Sequence, residues 1–188
     1  LPRAVVSFEE ADWTPPEALL LDTSIVVEAL LPSQPAHTAC VTFFERVAAS
    51  DCTLVFSRLL EMELCEVLFN VALKERYGKR WASARYDGRA RRRAGRLLEA
   101  GRRAWAELLD SFSWSYVELD EVTDAAPKLM RAYGFRSYDA VHAASLEVVG
   151  LRDMVTLDHG FAAMPQSRLT IHTTRARAST MRRRRARR

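Results

Sequence analysis

The sequence predicts an open three-layer α/β/α fold, with a central, mainly parallel sheet and helices on both faces. Two apolar runs, ALLLD at 18–22 and TLVFS at 53–57, read as strands, the first of them buried. Stretches with apolar residues at helical spacing separate these runs from later strands, and strands alternating with helices indicate a parallel sheet. The 188 residues fit one domain, long enough to bury a sizeable core.

Residues 1–17 hold Pro2, Pro15 and Pro16 and read as an irregular lead-in. After the strand at 18–22, Thr23 or Ser24 is placed to cap a helix reaching about Leu31, where Pro32 and Pro35 break it. Ala36, Ala39, Cys40, Phe43, Phe44 and Val47 repeat at helical spacing over 36–49. The strand at 53–57 ends at Ser57, read as the cap of a long helix over about 58–75. Residues 79–109 favour helix, with Trp81, Leu97, Leu98, Trp105, Leu108 and Leu109 as apolar anchors and Gly95 and Gly101 as interruptions. Strand 115–119, helices 121–133 and 137–149, strand 153–157 and a last strand near 168–173 complete the series. The domain therefore spans 18–174, and the Arg-rich tail at 175–188 reads as disordered without a partner.

Four acids fall where such a fold brings residues to one end of its sheet: Asp22, Glu63, Asp139 and Asp158. In open α/β sheets ligands bind beyond the carboxyl ends of the strands, and Asp22 and Asp158 each end an apolar run. Glu63 and Asp139 lie in the first turns of helices. Each has an ordinary reading beside the functional one: Asp22 as a helix cap, Glu63 on a solvated face, Asp139 against a helix dipole. Glu66 shares the face of Glu63, within about 60° on a helical wheel, whereas Glu61 points about 160° away. Thr156 is two residues before Asp158 and faces the same side of its strand. His142, one turn after Asp139, reads as a satisfied helix histidine, or as one that touches substrate or orients a carboxylate. His159 has no second histidine at zinc-ligand spacing. Carboxylates gathered without matching cations repel one another, so a bound divalent cation is the expected resolution.

The net charge of +4 hides a strong segregation. Residues 175–188 carry +8 and residues 74–103 carry +9, leaving −13 on the rest of the chain. An acidic body with two basic segments suits a site that works on a polyanion held by separate cations. Arg89, Arg91, Arg92, Arg93 and Arg96 are candidate phosphate contacts, with Trp81 or Trp105 as candidate base stackers; a solvated helix face with both tryptophans in the core is the plainer alternative. No apolar run approaches the roughly 20 residues that span a bilayer. The three cysteines, Cys40, Cys52 and Cys65, lack metal-type spacing and read as reduced thiols of a cytoplasmic protein.

The ordered set LDTS at 21–24, Ser57 with Glu63 six residues on, YDAVHAA at 138–144 and TLDHGF at 156–161 resembles the PIN-domain ribonucleases, most closely the VapC-type toxins of toxin–antitoxin pairs. The resemblance covers about residues 18–173. It implies Asp22, Glu63, Asp139 and Asp158 as metal-site acids supported by Ser24 and Thr156, Mg²⁺ or Mn²⁺ as cofactor, and hydrolysis of RNA phosphodiesters. It further implies a small cognate antitoxin, and a homodimer is expected. The 75–110 region is longer and more basic than the family pattern, and the Arg tail is additional. An aspartyl-nucleophile phosphatase would want a second acid just after Asp22, where Thr23 and Ser24 stand. A receiver domain would want a late lysine, and none occurs after Lys128. The remaining rival is a noncatalytic RNA-binding or regulatory protein on the same fold.

Overall fold

A computed structural model describes residues 5–186; residues 1–4 of the expected lead-in and 187–188 of the expected tail lie outside the described residues. The chain runs β1 (Val5–Ser7), β2 (Ala18–Leu21), α1 (Thr23–Leu30), α2 (His37–Ala48), β3 (Thr53–Ser57) and α3 (Leu59–Tyr77). A 3₁₀ turn and the short α4 (Trp81–Ala84) lead into α5 (Gly88–Leu109). Then come β4 (Ser113–Val117), α6 (Leu119–Val122), α7 (Ala126–Tyr133), α8 (Ser137–Val148), β5 (Asp153–Val155), a 3₁₀ helix (His159–Ala163), β6 (Thr170–Thr173) and α9 (Arg175–Ala186).

The six strands form one sheet in the order β1-β6-β5-β2-β3-β4, and every neighbouring pair is parallel. Alternate residues of the same strand feed two separate cores. Leu19, Leu21, Leu54, Phe56 and Val155 pack with residues of α1, α2, α3 and α5 on one face. Leu20, Val55 and Met154 pack with residues of α6, α7, α8 and α9 on the other. Strands buried on both faces are apolar at consecutive positions, which is why ALLL and TLVF carry no polar alternation. The predicted three-layer fold is thus the fold observed.

Strand order places the cleft. From β2 the chain moves outward through β3 and β4, then returns to the other side of β2 to make β5 and β6. The crossovers leave β2 and β5 in opposite directions, so a crevice opens beyond the carboxyl ends of these two neighbours.

Several boundaries differ from expectation. The lead-in contributes an edge strand, with Val5–Ser7 pairing to Ile171–Thr173, and it buries Phe8 and Trp13. Arg46 fastens it by donating to the carbonyls of Phe8, Glu10 and Trp13. The tail is helical over 175–186, and Ala178 and Met181 are buried in the second core; apolar residues at an i, i+3 spacing anchor a segment that composition marks as disordered. The helix expected over 121–133 is two helices, because Pro127 begins a new one in the first turn of α7. Ile25, Val26, Phe43 and Phe44 are all core residues.

Candidate metal centre

Asp22 follows the last residue of β2, with its backbone N–H bonded to Val155 on β5 (3.1 Å). It occupies the cap position of α1, yet its side chain makes no cap hydrogen bond. Instead one carboxylate oxygen, Oδ2, accepts from the hydroxyls of Ser24 and Thr156, the latter at 2.7 Å. Glu63, in the second turn of α3, is held the same way: its Oε2 accepts from the Thr23 hydroxyl at 2.6 Å and lies 3.2 Å from His142 Nε2. The Nδ1 atom of His142 is buried without a partner among the described residues, so the ring proton belongs on Nε2, where it is donated to Glu63. Each carboxylate therefore has one oxygen occupied by two donors. Asp22 Oδ1 and Glu63 Oε1 accept no hydrogen bond among the described residues. His142 Nε2 is also 3.7 Å from Asp22 Oδ1, and ligand atoms of Asp22, Glu63 and His142 all lie within 4.8 Å of one another.

Asp139 and Asp158 stand outside this tight group but line the same cleft, about 590 Å³ in volume, together with Glu63, Arg136, Tyr138 and His159. Gly134 ends α7 in the left-handed region (φ 73°) and lets the chain turn through the cleft wall into α8. Asp158 caps the following 3₁₀ helix, its Oδ1 accepting from Gly160 N–H at 2.6 Å, while its own N–H donates to Thr156 Oγ1 at 2.9 Å. Thr156 thus links the two strand-end acids. Leu157 N–H adds a bond to Ser24 Oγ at 3.0 Å.

The protonation pattern reflects crowding. Burial raises the Asp22 carboxyl above the usual range against the opposing pull of His142, Ser24 and Thr156, and the Glu63 charge adds to the rise. Asp139 is raised by burial and then by the charges of Asp158 and Asp22. For Glu63, burial pushes upward, but the bonds from His142 and Thr23 and the His142 charge outweigh it and hold the carboxyl low. Burial pulls the His142 imidazole down; its bond to Glu63 and the charges of Asp22, Glu63 and Asp139 overcome that and raise it. The acids push one another's carboxyls up, and His142 pulls down on Asp22, Glu63 and Asp139.

This donor set fits a hard divalent ion: carboxylate oxygens converge, two are left by their local donors, and the acids destabilise each other without a cation. Asp22 and Glu63, with His142, lie close enough together to hold one ion, and Asp139 and Asp158 line the same cleft.

Residues 19–166 match the profile of the family described as the PIN domain. The chain belongs to the PIN-domain family. Among solved structures, this PIN domain is similar to one described as Mycobacterium tuberculosis VapC20, a sarcin–ricin loop-cleaving toxin, at 17% identity and a TM-score of 0.47, covering 72% of this chain and 86% of that one. A comparison with curated proteins returns no match.

The four predicted acids of the PIN domain are gathered at one end of the sheet, and Ser24 and Thr156 are where support was expected. Two further residues carry the site. Thr23 was read as a helix cap, but its hydroxyl goes to Glu63; His142 bridges toward Glu63 and Asp22. The signal for His142 was its i, i+3 spacing from Asp139, which puts both on one side of α8. Ser57 does not cap α3: Arg58 has the cap position without a side-chain bond, and the Ser57 hydroxyl is buried and unpartnered among the described residues. Arg136 has the cap position of α8, also without a side-chain bond. Glu66 faces outward to Arg85 and Tyr138, and Glu61 accepts from Tyr116 at 2.7 Å, away from the cleft.

The arginine set does not share one face. At about 100° per residue, Arg89, Arg92 and Arg96 fall within about 60° of one another, whereas Arg91 and Arg93 are about 160° apart on the flanks of α5. All five are exposed. Trp105 is not available to a ligand; it is buried against Phe56 at 5.4 Å. Trp81 is half-buried with Lys74 over its ring at 4.9 Å.

Proposed function

We propose that this PIN domain is an Mg²⁺- or Mn²⁺-dependent endoribonuclease, the toxin of a type II toxin–antitoxin pair. The observation that carries the reading is the convergence of four carboxylates at the β2/β5 crevice, with two of them oriented by paired donors so that one oxygen of each is left over. A divalent cation held there would supply polarisation of a phosphodiester and acidification of a water. In this reading Asp22, Glu63, Asp139 and Asp158 bind the cation and the reacting water. Ser24 and Thr156 fix the rotamer of Asp22, and Thr23 and His142 fix that of Glu63. Arg89, Arg91, Arg92, Arg93 and Arg96 supply sequence-independent attraction for the RNA backbone. A small cognate antitoxin that covers the cleft, a homodimeric toxin and a cytoplasmic site of action complete the proposal; among the described residues no helix is long and apolar enough to cross a membrane.

The test is cleavage of structured RNA under a Mg²⁺ or Mn²⁺ titration. Asp22→Asn is expected to retain the wild-type melting transition and to lose metal-dependent cleavage by about 100-fold or more, the order of removing one transition-state electrostatic contact. Full cleavage by Asp22→Asn would defeat the proposal. Binding without cleavage by the wild type at any metal concentration would favour the noncatalytic RNA-binding alternative.

A further inference from the structure

The inner half of the α3–α5 hairpin packs in the first core, and its outer half packs only on itself. Trp105 packs on Phe56, the penultimate residue of β3. From that level α5 runs antiparallel to α3: Leu68 faces Gly101, and farther out Leu73 packs with Ala90 and Ala94 in a small core of its own. At 1.5 Å per residue the start of α5 lies about 26 Å from Trp105. The helix that carries Glu63 into the cleft thus also carries this arm.

A line of side-chain contacts joins the cleft to the tip of this arm. Tyr138 lines the cleft and is 38% exposed. Its hydroxyl is 3.5 Å from Glu66 Oε2. The other Glu66 oxygen lies 3.9 Å from Arg85, which also donates to Asn70 Oδ1 at 3.3 Å, one turn farther along α3. Next to Arg85 comes Tyr86, in the turn between α4 and α5. Arg91 donates to the Tyr86 carbonyl at 2.9 Å, and Asp87 caps α5 by accepting from Ala90 N–H at 2.8 Å, which fixes the turn. Tyr86 is 80% exposed, the most of any large apolar-bodied side chain among the described residues. Its ring and hydroxyl have no partner there. A solvent-facing ring on a bonded turn, next to Arg85 in sequence and with Arg91 on its carbonyl, has no packing role, and an exposed aromatic within a basic segment has the composition of a single-strand nucleic-acid platform.

Resting on the reading that the cleft acts on RNA, we propose that Tyr86 and Tyr138 stack unpaired bases of the RNA on the arm side of the scissile phosphate, with Arg85 and Arg91 holding the intervening backbone. Stacking on these rings needs unpaired bases, because a base inside a duplex has no free face to offer. Arg85 also neutralises Glu66, the acid that would otherwise repel phosphate along this path.

The experiment is fluorescence anisotropy of the full chain with a short labelled single-stranded RNA and with the same RNA annealed to its complement, in chelator so that binding is read without cleavage. Tyr86→Ala is expected to weaken single-strand binding by about 5- to 150-fold, the range for one lost base stack. Tyr86→Phe should restore it, and the duplex should respond little to either change. Wild-type single-strand affinity in Tyr86→Ala, or an equal loss for duplex, would overturn the proposal. So would unchanged RNA binding with lost self-association in sedimentation, which would make the arm a protein contact. Because no metal is present, a Tyr86-dependent affinity stands or falls separately from the Asp22→Asn cleavage result.

Discussion

Thr156 does two jobs with one hydroxyl: it donates to Asp22 and accepts from Asp158 N–H. The carboxylate it orients is already disfavoured as an anion by burial, so loss of that donor should cost cation affinity more than it costs the fold. Thr156→Val is expected to weaken Mn²⁺ binding by about 10- to 100-fold, the usual effect of removing a group that orients a ligand. The unpaired Asp158 amide adds a destabilisation of about 1–3 kcal/mol. Isothermal titration together with a thermal melt separates the two effects; wild-type Mn²⁺ affinity would contradict this role. Of the cysteines, Cys40 and Cys52 are buried, and burial pushes their thiols up to about 12 and about 11, whereas Cys65 is half-buried.

At the scale of elements, α5 decides what the two glycines of its interior do. A Cβ on Gly95 would meet nothing within 4 Å, whereas one on Gly101 would lie 2.3 Å from Leu68 Cδ1, in a fully buried leucine. Gly95→Ala should therefore stabilise the protein by about 0.5–1 kcal/mol through helix propensity. Gly101→Ala gains the same propensity but forces Leu68 to repack, at a cost of about 1–3 kcal/mol. Denaturant unfolding should rank Gly95→Ala above wild type and Gly101→Ala below it; equal stability of the two variants would refute the close α3–α5 contact. Sequence alone marked both as helix interruptions, since their difference lies in the partner helix. The caps misled for a related reason. Thr23 and Ser24 are good capping residues by type, yet their hydroxyls serve carboxylates brought from 40 residues away or from two residues back.

At the scale of the molecule, the two ends of the chain close one edge of the sheet. β1 pairs with β6, and α9 packs over both and over the 3₁₀ helix just after Asp158, with Arg182 bonding the Val5 carbonyl at 2.9 Å. The basic tail is therefore part of the second core. Met181→Ala, a truncation at a fully buried site, should destabilise by about 2–5 kcal/mol, and a melt indistinguishable from wild type would return α9 to the status of a detached tail. Charge substitutions, not truncation, are accordingly the means of asking whether the tail arginines bind RNA.

The sequence by itself determined the layer architecture and the gathering of Asp22, Glu63, Asp139 and Asp158, because strand burial is written in apolar runs and strand ends in the polar residues that close them. It also separated Glu63 from Glu61, since helical periodicity is a local property. Only the tertiary structure decided that Thr23 and His142 belong to the site, that Trp105 is core, that the arginines of α5 divide among faces, and that residues 5–7 and 175–186 are ordered. Each of these depends on a partner far away in the chain. A hydroxyl, a ring or a methionine takes its role from whichever neighbour folding brings within bonding distance.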